Sequence, residues 1–304
     1  MKVSVIVCTR NRAHAILGSL ESIVTGLQAA MPLEAEIVVV DNDSDDGTNA
    51  RVREWAETCP FPVNVQLEKK RGLCFARNCG LRAAKGELIA FTDDDCRWSE
   101  TYVVEWLAHV AKDTAPVLRG GRVELGDPTD LPITTKTSRE TARWSKALNS
   151  ARKGPLGQSI IGCNMTMSRA LIDRAGFFDE RFTSGGLNAA DDIDLVFRSY
   201  VAGIAIEYVP DMVIYHYHGR KTPEQAYRLM RSYMLGSGAL YAKFAFKDID
   251  LIRPVVWDLR HAYREFLSGG NNLLPEYNFS YRTMVRYWMM GAWLYYTRAF
   301  RRSA

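Results

Sequence analysis

Short apolar runs alternate with helical spacings through the first 112 residues of this 304-residue chain, and no other feature constrains its fold as strongly. The runs at 3–8, 37–40, 63–67 and 88–91 are rich in Val and Ile and read as buried strands. Between the first two, residues 13–30 place Ile16, Leu17, Leu20, Ile23, Val24 and Leu27 on one helical face. Residues 47–59, 73–84 and 100–112 read as further helices. Parallel neighbours cannot be joined by a tight turn and need a crossover, usually a helix. The pattern therefore predicts an α/β fold, a mainly parallel sheet with helices on both faces.

Beyond it, residues 126–156 are rich in Pro, Thr, Ser and Lys and weakly periodic, which predicts a long connection with a helix over 141–151. Ser168 is placed to cap a helix over 169–175 that ends at Gly176, and 191–202 reads as another helix, closed by Gly203. After Pro223 the strand signal vanishes, and helices are expected over 224–246, 254–267 and 281–302. The reading divides the chain into an α/β domain, 1–220, and a C-terminal helical extension, 221–304.

Composition excludes several classes. Apolar residues at 47% and charged residues at 24% are those of a globular protein, not a disordered or collagen-like one. A net charge of +4 is too small to argue for nucleic acid. No apolar run approaches the ~20 residues that span a bilayer, and the first residues enter a strand pattern with no signal-peptide signature. The six cysteines form no Cys-x-x-Cys pair, so they read as small core residues in a reducing compartment. The expected location is the cytoplasm.

Ligands of open α/β sheets sit beyond the carboxyl ends of the strands. There the chain places Thr9-Arg10-Asn11-Arg12, then Asp41-Asn42-Asp43-Ser44, then Asp93-Asp94-Asp95. The loop after the first strand has no glycine, which removes the dinucleotide fingerprint, and there is no P-loop. Side chains must hold any nucleotide. Three adjacent carboxylates repel one another, and a hard cation such as Mg2+ or Mn2+ relieves the repulsion through oxygen ligands. Strand alternation predicts Asp93 and Asp95 on one side and Asp94 on the other.

These pieces, with Arg77-Asn78-Cys79-Gly80, Gly162-Cys163-Asn164-Met165, Gly176-Phe177-Phe178-Asp179, Asp191-Asp192-Ile193-Asp194-Leu195, and Pro210-Asp211 with His216, occur in an order that resembles the family 2 glycosyltransferases of GT-A fold. The resemblance runs from Val3 to about Arg220. It implies inverting transfer of a hexosyl or N-acetylhexosaminyl group from a nucleotide-diphosphate sugar, UDP-sugar favoured, to the hydroxyl of a saccharide or lipid-linked saccharide. It implies that Thr9, Arg10, Arg12, Asp41 and Arg77 hold the donor nucleotide, with Asp93 on the ribose side and Asp94 beside it. It makes Asp95 the ligand of Mn2+ or Mg2+ and His216 an additional one. Asp191-Asp192 stands where the family has its acidic pair, often Glu-Asp, that supplies the general base; Asp192 is the first choice and Asp191 the second. The competing readings are a catalytically silent nucleotide-sugar binding module and a sugar nucleotidyltransferase, the latter disfavoured by the missing glycine-rich loop. Past Asn278 there is no Asp or Glu, while Arg282, Arg286, Arg298, Arg301 and Arg302 alternate with aromatics. A basic aromatic helix of this kind lies in a membrane interface, which predicts peripheral attachment to the cytoplasmic face.

Overall fold

The four apolar runs become the parallel block of the sheet. In the computed structural model, which describes residues 2–148, 156–183, 190–270 and 273–300, β1 (Lys2–Thr9), β2 (Glu34–Asp41), β3 (Val63–Leu67) and β4 (Leu88–Asp93) lie in the order β3-β2-β1-β4. Helices α1 (Ile16–Ala29), α2 (Thr48–Ala56) and α3 (Leu73–Ala83) connect them. Successive side chains of a strand point to opposite faces. Val3, Val5 and Val7 accordingly pack with Ile16, Leu20 and Ile23 of α1, while Ile6 packs with Cys74, Ala76 and Leu81 of α3. Burial on both faces is why these strands are almost wholly apolar.

The remaining elements extend the same sheet. They are β5 (Cys96–Trp98), α4 (Tyr102–Val110), β6 (Val117–Leu125), β7 (Ala142–Trp144), β8 (Met165–Ser168), α5 (Arg169–Ala175), α6 (Asp191–Val201) and β9 (Ala205–His216). β8 lies antiparallel between β4 and β6, β9 pairs parallel with β6, and β5 and β7 pair antiparallel with β9. Thus β1 to β4, β6 and β9 point one way and β5, β7 and β8 the other. The mainly parallel sheet holds, and the antiparallel strands are those too short, at three or four residues, to carry a period.

Two local expectations fail. Residues 142–144 form β7 and 146–148 a 3-10 turn, not the start of a helix over 141–151, because β7 pairs with β9; residues 149–151 lie outside the described residues. Ser168 occupies the cap position of α5 in extended geometry, but its side chain makes no capping bond; the Arg169 N–H donates instead to the Glu87 carbonyl at 2.8 Å.

The pairing of β6 with β9 is interrupted. Gly121 pairs with Val209 but Arg122 pairs with Val213, so residues 210–212 bulge out of register at Pro210, which has no N–H to give the ladder. The Asn164 amide closes the gap by donating to the carbonyls of Arg122 at 3.1 Å and Met212 at 3.0 Å. A Cβ on Gly121 would stand 2.0 Å from the Met212 carbonyl oxygen, so only glycine fits there.

The C-terminal helices are α7 (Pro223–Phe244), α8 (Ile249–Ser268) and α9 (Tyr281–Phe300). Thr222 and Gln225 form a capping box that starts α7. Ala239, Leu240 and Phe244 of α7 share a core with Ile6 and Phe91 of the sheet. An ion network reinforces that seam. Asp194 of α6, fully buried, accepts from Lys243 of α7 at 2.5 Å and from Arg198 at 2.8 Å, and Lys243 also reaches Asp179 at 2.7 Å. Removing one member of a buried pair strands the others without their counter-ion. Asp194→Ala is therefore expected to lose on the order of 3 kcal/mol of unfolding free energy in urea titrations; an unchanged midpoint would contradict it.

Candidate functional site

The carboxyl ends of β1, β2 and β4 meet the start of α6 and the end of β9. Thr9 and Asp41 are register partners at the ends of β1 and β2, and both are buried. Asp41 accepts from the Ser44 N–H at 3.1 Å and from the Asn49 amide at 3.0 Å. Arg10 is exposed. The next residue, Asn42, is buried, and its place in the polar run after the second strand gives no sign of its role. Its amide donates to the carbonyls of Glu68 and Lys70 and its oxygen accepts from the Gly72 N–H, so it pins the loop that leads into α3.

Arg77 of α3 is 4% exposed and forms the centre of the site. It pairs with Asp191 and reaches Asp93 at 3.5 Å. Burial works against its charge, but Asp191 and Asp93 restore it and hold the guanidinium far up. Burial pushes the Asp191 carboxyl up while Arg77 pulls it down. A buried guanidinium demands an ionised partner, so Asp191 stands as the counter-ion of Arg77.

Asp192 is held differently. One oxygen accepts from the Gly162 N–H at 2.9 Å and the other from the Ile193 N–H at 2.8 Å. Burial, and then the charge of Asp191, raise it to about 6. Gly162 is tightly set: an added Cβ would come within 3.0 Å of both the Arg77 guanidinium and the Asp192 Cβ.

The acidic triplet does not follow strand alternation, because β4 ends at Asp93 and residues 94–95 form a turn. Arg12 consequently touches both later members, with Nε 3.3 Å from Asp94 and Nη2 3.4 Å from Asp95. Burial pushes Asp94 up to about 6. The other oxygen of Asp95 lies 3.3 Å from Nε2 of His216, whose Nδ1 stands 3.3 Å from the Thr134 hydroxyl. Burial opposes charge on both members of this pair. Their mutual contact prevails, raising His216 to about 9 and holding Asp95 below the ordinary carboxylate range. A carboxylate oxygen and an imidazole nitrogen converging in this way, beside the carboxylates of Asp93 and Asp94, suit a hard divalent cation.

His218 turns elsewhere, to the Leu131 carbonyl at 3.1 Å and the Arg220 N–H at 3.0 Å. Tyr233 of α7 enters the site unannounced by sequence. Burial raises its phenol, the charge of Asp192 raises it further, and Arg220 pulls it back. A tyrosine inside a long amphipathic helix carries no spacing signal that separates this position from a core one.

Comparison with known proteins follows the same outline. The model of the family described as glycosyl transferase family 2 matches residues 4–176. Glycosyltransferase AglE of Haloferax volcanii is 26% identical over 217 residues, covering 70% of this chain and 66% of AglE. The chain thus spans less than two thirds of AglE, and only 34% of the chondroitin synthase of Escherichia coli that it also matches. Among solved structures, the mannosyltransferase PcManGT of Pyrobaculum calidifontis, in complex with GDP-Man and Mn2+, superposes with a TM-score of 0.61 at 22% identity, over 96% of this chain and 86% of that one. TarS 1–349 of S. aureus in complex with UDP gives a TM-score of 0.58 at 20% identity, over 100% and 92%. At these identities the structures speak for a common fold.

Proposed function

The chain belongs to glycosyl transferase family 2, and on that footing we propose that it is an inverting glycosyltransferase, moving a sugar from a nucleoside-diphosphate sugar to an acceptor hydroxyl. The observation that carries the reading is the division of labour in the acidic pair. Asp191 is committed to Arg77, whereas Asp192 is a carboxylate raised toward neutral pH and held by two backbone N–H groups. A base poised near the working pH is what deprotonation of a hydroxyl requires. One base, with no enzyme nucleophile assigned, corresponds to single displacement and inversion. A catalytically silent binding module would need no such base.

Thr9, Asp41 and Arg77 line the donor side, and Arg12, now paired with Asp94 and Asp95, completes it. Asp95 and His216 hold a divalent cation, Mn2+ or Mg2+, whose chemistry when bound is to neutralise charge developing on the leaving diphosphate. PcManGT carries GDP-Man and TarS carries UDP, so both nucleotide classes belong in the screen, with a UDP-sugar favoured. Release of nucleoside diphosphate from UDP-, GDP- and dTDP-sugars with Mn2+ and candidate saccharide or lipid-linked acceptors tests the function. Donor binding without release on any acceptor would favour the silent module.

We also propose peripheral contact with a membrane surface. Among the described residues no helix is long and apolar enough to cross a bilayer. However, α8 exposes Val256, Leu259, Tyr263, Phe266 and Leu267 at helical spacing, flanked by exposed Arg260 and Arg264. On α9, Met289 and Trp293 are 69% and 65% exposed. Apolar stripes with basic flanks suit an interface with anionic lipid. Each apolar side chain buried contributes about 1.5–3 kcal/mol, so replacing Tyr263, Phe266 and Leu267 together with Ser is expected to weaken flotation with phosphatidylglycerol vesicles by at least about 100-fold. Wild-type protein that stays with the soluble fraction would sink the proposal.

A further inference from the structure

Behind the acidic triplet lies a group of soft ligands that no sequence motif announces. Cys96 of β5 and His216 of β9 are direct partners across the antiparallel ladder, which places their side chains on one face. Cys163 enters from the loop before β8, fixed by the neighbouring Asn164 clamp on the bulge. The two sulfurs and a ring nitrogen of His216 lie within 4.8 Å of one another, and all three residues are buried. Asp95 closes the group, with its Oδ1 3.8 Å from the Cys96 sulfur and 3.3 Å from His216 Nε2.

We propose that Cys96, Cys163, His216 and Asp95 form a tetrahedral site for a thiophilic divalent cation of the zinc class, sharing Asp95 and His216 with the hard-cation site and excluding its occupant. The dimensions fit. Metal–sulfur bonds of about 2.3 Å and metal–nitrogen or metal–oxygen bonds of about 2.0–2.1 Å make tetrahedral edges of about 3.3 Å for N···O and about 3.5 Å for S···O. The observed edges are 3.3 and 3.8 Å. The two sulfurs and the imidazole nitrogen, within 4.8 Å of one another, contract by up to about 1 Å to reach edges no longer than the sulfur–sulfur edge of about 3.8 Å, and Asp95 turns toward Cys163 to close the fourth position. Two thiolates and an imidazole are ligand types that suit zinc and not Mg2+, while the carboxylate suits either. The Thr134 hydroxyl beside His216 Nδ1 orients the ring from behind. Binding releases the two thiol protons and the imidazolium proton of His216 to solvent and changes no oxidation state.

The inhibitory consequence rests on the proposed role of Asp95 and His216 in turnover; the binding itself does not. Co2+ separates the two, because thiolate ligation gives charge-transfer bands and tetrahedral geometry gives strong visible bands, whereas an octahedral oxygen site gives neither. One equivalent of Co2+ added to the reduced full chain is expected to show both, and one equivalent of Zn2+ to abolish them. Cys96→Ser and Cys163→Ser should each weaken the charge-transfer bands and lower Zn2+ affinity by at least about 100-fold, the upper figure for losing even an outer-shell partner, and the double serine variant should lose the bands. Far-ultraviolet circular dichroism and retained Mn2+-dependent turnover identify folded variants, and Cys163→Ala serves as a second if Cys163→Ser fails to fold. In the wild type, Zn2+ should inhibit Mn2+-dependent turnover at near-stoichiometric concentration, and Cys163→Ser should resist it. A Co2+ spectrum without thiolate bands, or bands that survive in the double serine variant, overturns the site. Bands present with no turnover on any donor would leave the site standing and count against the proposed function instead.

Discussion

Asp192→Asn is expected to lower turnover by about 10²–10⁴-fold, the contribution of a positioned general base, and to leave donor binding unchanged. The amide keeps the volume of the carboxyl, and its oxygen can still accept from one of the two N–H groups, while the other faces the NH2 and loses its acceptor at a local cost in stability. What it loses is the capacity to take a proton. The wild-type enzyme should carry the signature of that group in its pH profile. A carboxyl raised to about 6 is protonated, and useless as a base, below that pH. Activity should therefore rise by about tenfold per unit up to pH 6 and level off above it, and the residual activity of the Asn variant should lack this limb. Asp191→Asn should behave otherwise. It strips the buried Arg77 of its counter-ion, so lowered stability and weakened donor binding should accompany any loss of rate. Donor titration beside a turnover assay separates the two variants; near wild-type turnover in Asp192→Asn would remove the base assignment.

Asp95→Ala should abolish the Mn2+ dependence of donor binding. Asp95 is the member of the triplet that faces His216, with Oδ1 3.3 Å from Nε2. A cation bound by oxygen ligands contributes several kcal/mol of charge stabilisation, so turnover should fall by at least about 100-fold even at high Mn2+. Asp94→Ala should do less, because Asp94 is turned toward Arg12 Nε and its burial raises it to about 6, where a carboxyl holds a cation poorly. Calorimetry of UDP-sugar binding with and without Mn2+ decides, and a metal response in Asp95→Ala equal to that of the wild type would refute the assignment.

The acidic triplet that holds Asp95 was legible because the sheet forces it to be, whereas the role of Asp192, at the start of α6, came from the resemblance to the family. A strand buried on two faces must be apolar along its length, so the first carboxylate after Phe91 marks where β4 emerges from the core. The same logic exposed Asp41 at the end of β2 and Thr9 at the end of β1. The α/β class and the parallel block followed from long-range repetition of a single pattern. The antiparallel half did not. β5, β7 and β8 are three or four residues long and derive their conformation from partners far along the chain. β6 mixes Gly120, Gly121 and the buried Arg119, whose charge is met by Asp113 and Glu207. No local window contains those partners. For the same reason alternation misplaced Asp94 and Asp95: a strand period says nothing of the turn that ends it. Tyr233 and Asn42 act through tertiary neighbours alone, and Cys96 and Cys163 meet His216 only after three separate segments have folded.

The buried ions between α6 and α7 bear on how such an enzyme can be recombined. The helix that begins with Asp191 and Asp192 is secured one turn later by Asp194, whose counter-ion, Lys243, is encoded more than twenty residues past the apparent end of the α/β unit. A chimera spliced near residue 220 to import a foreign tail would therefore exchange the anchor of its own acidic pair along with the tail. Grafts that carry a lysine to the position of Lys243 should keep that helix seated, and those that do not should have to regain it by second-site mutation in α6.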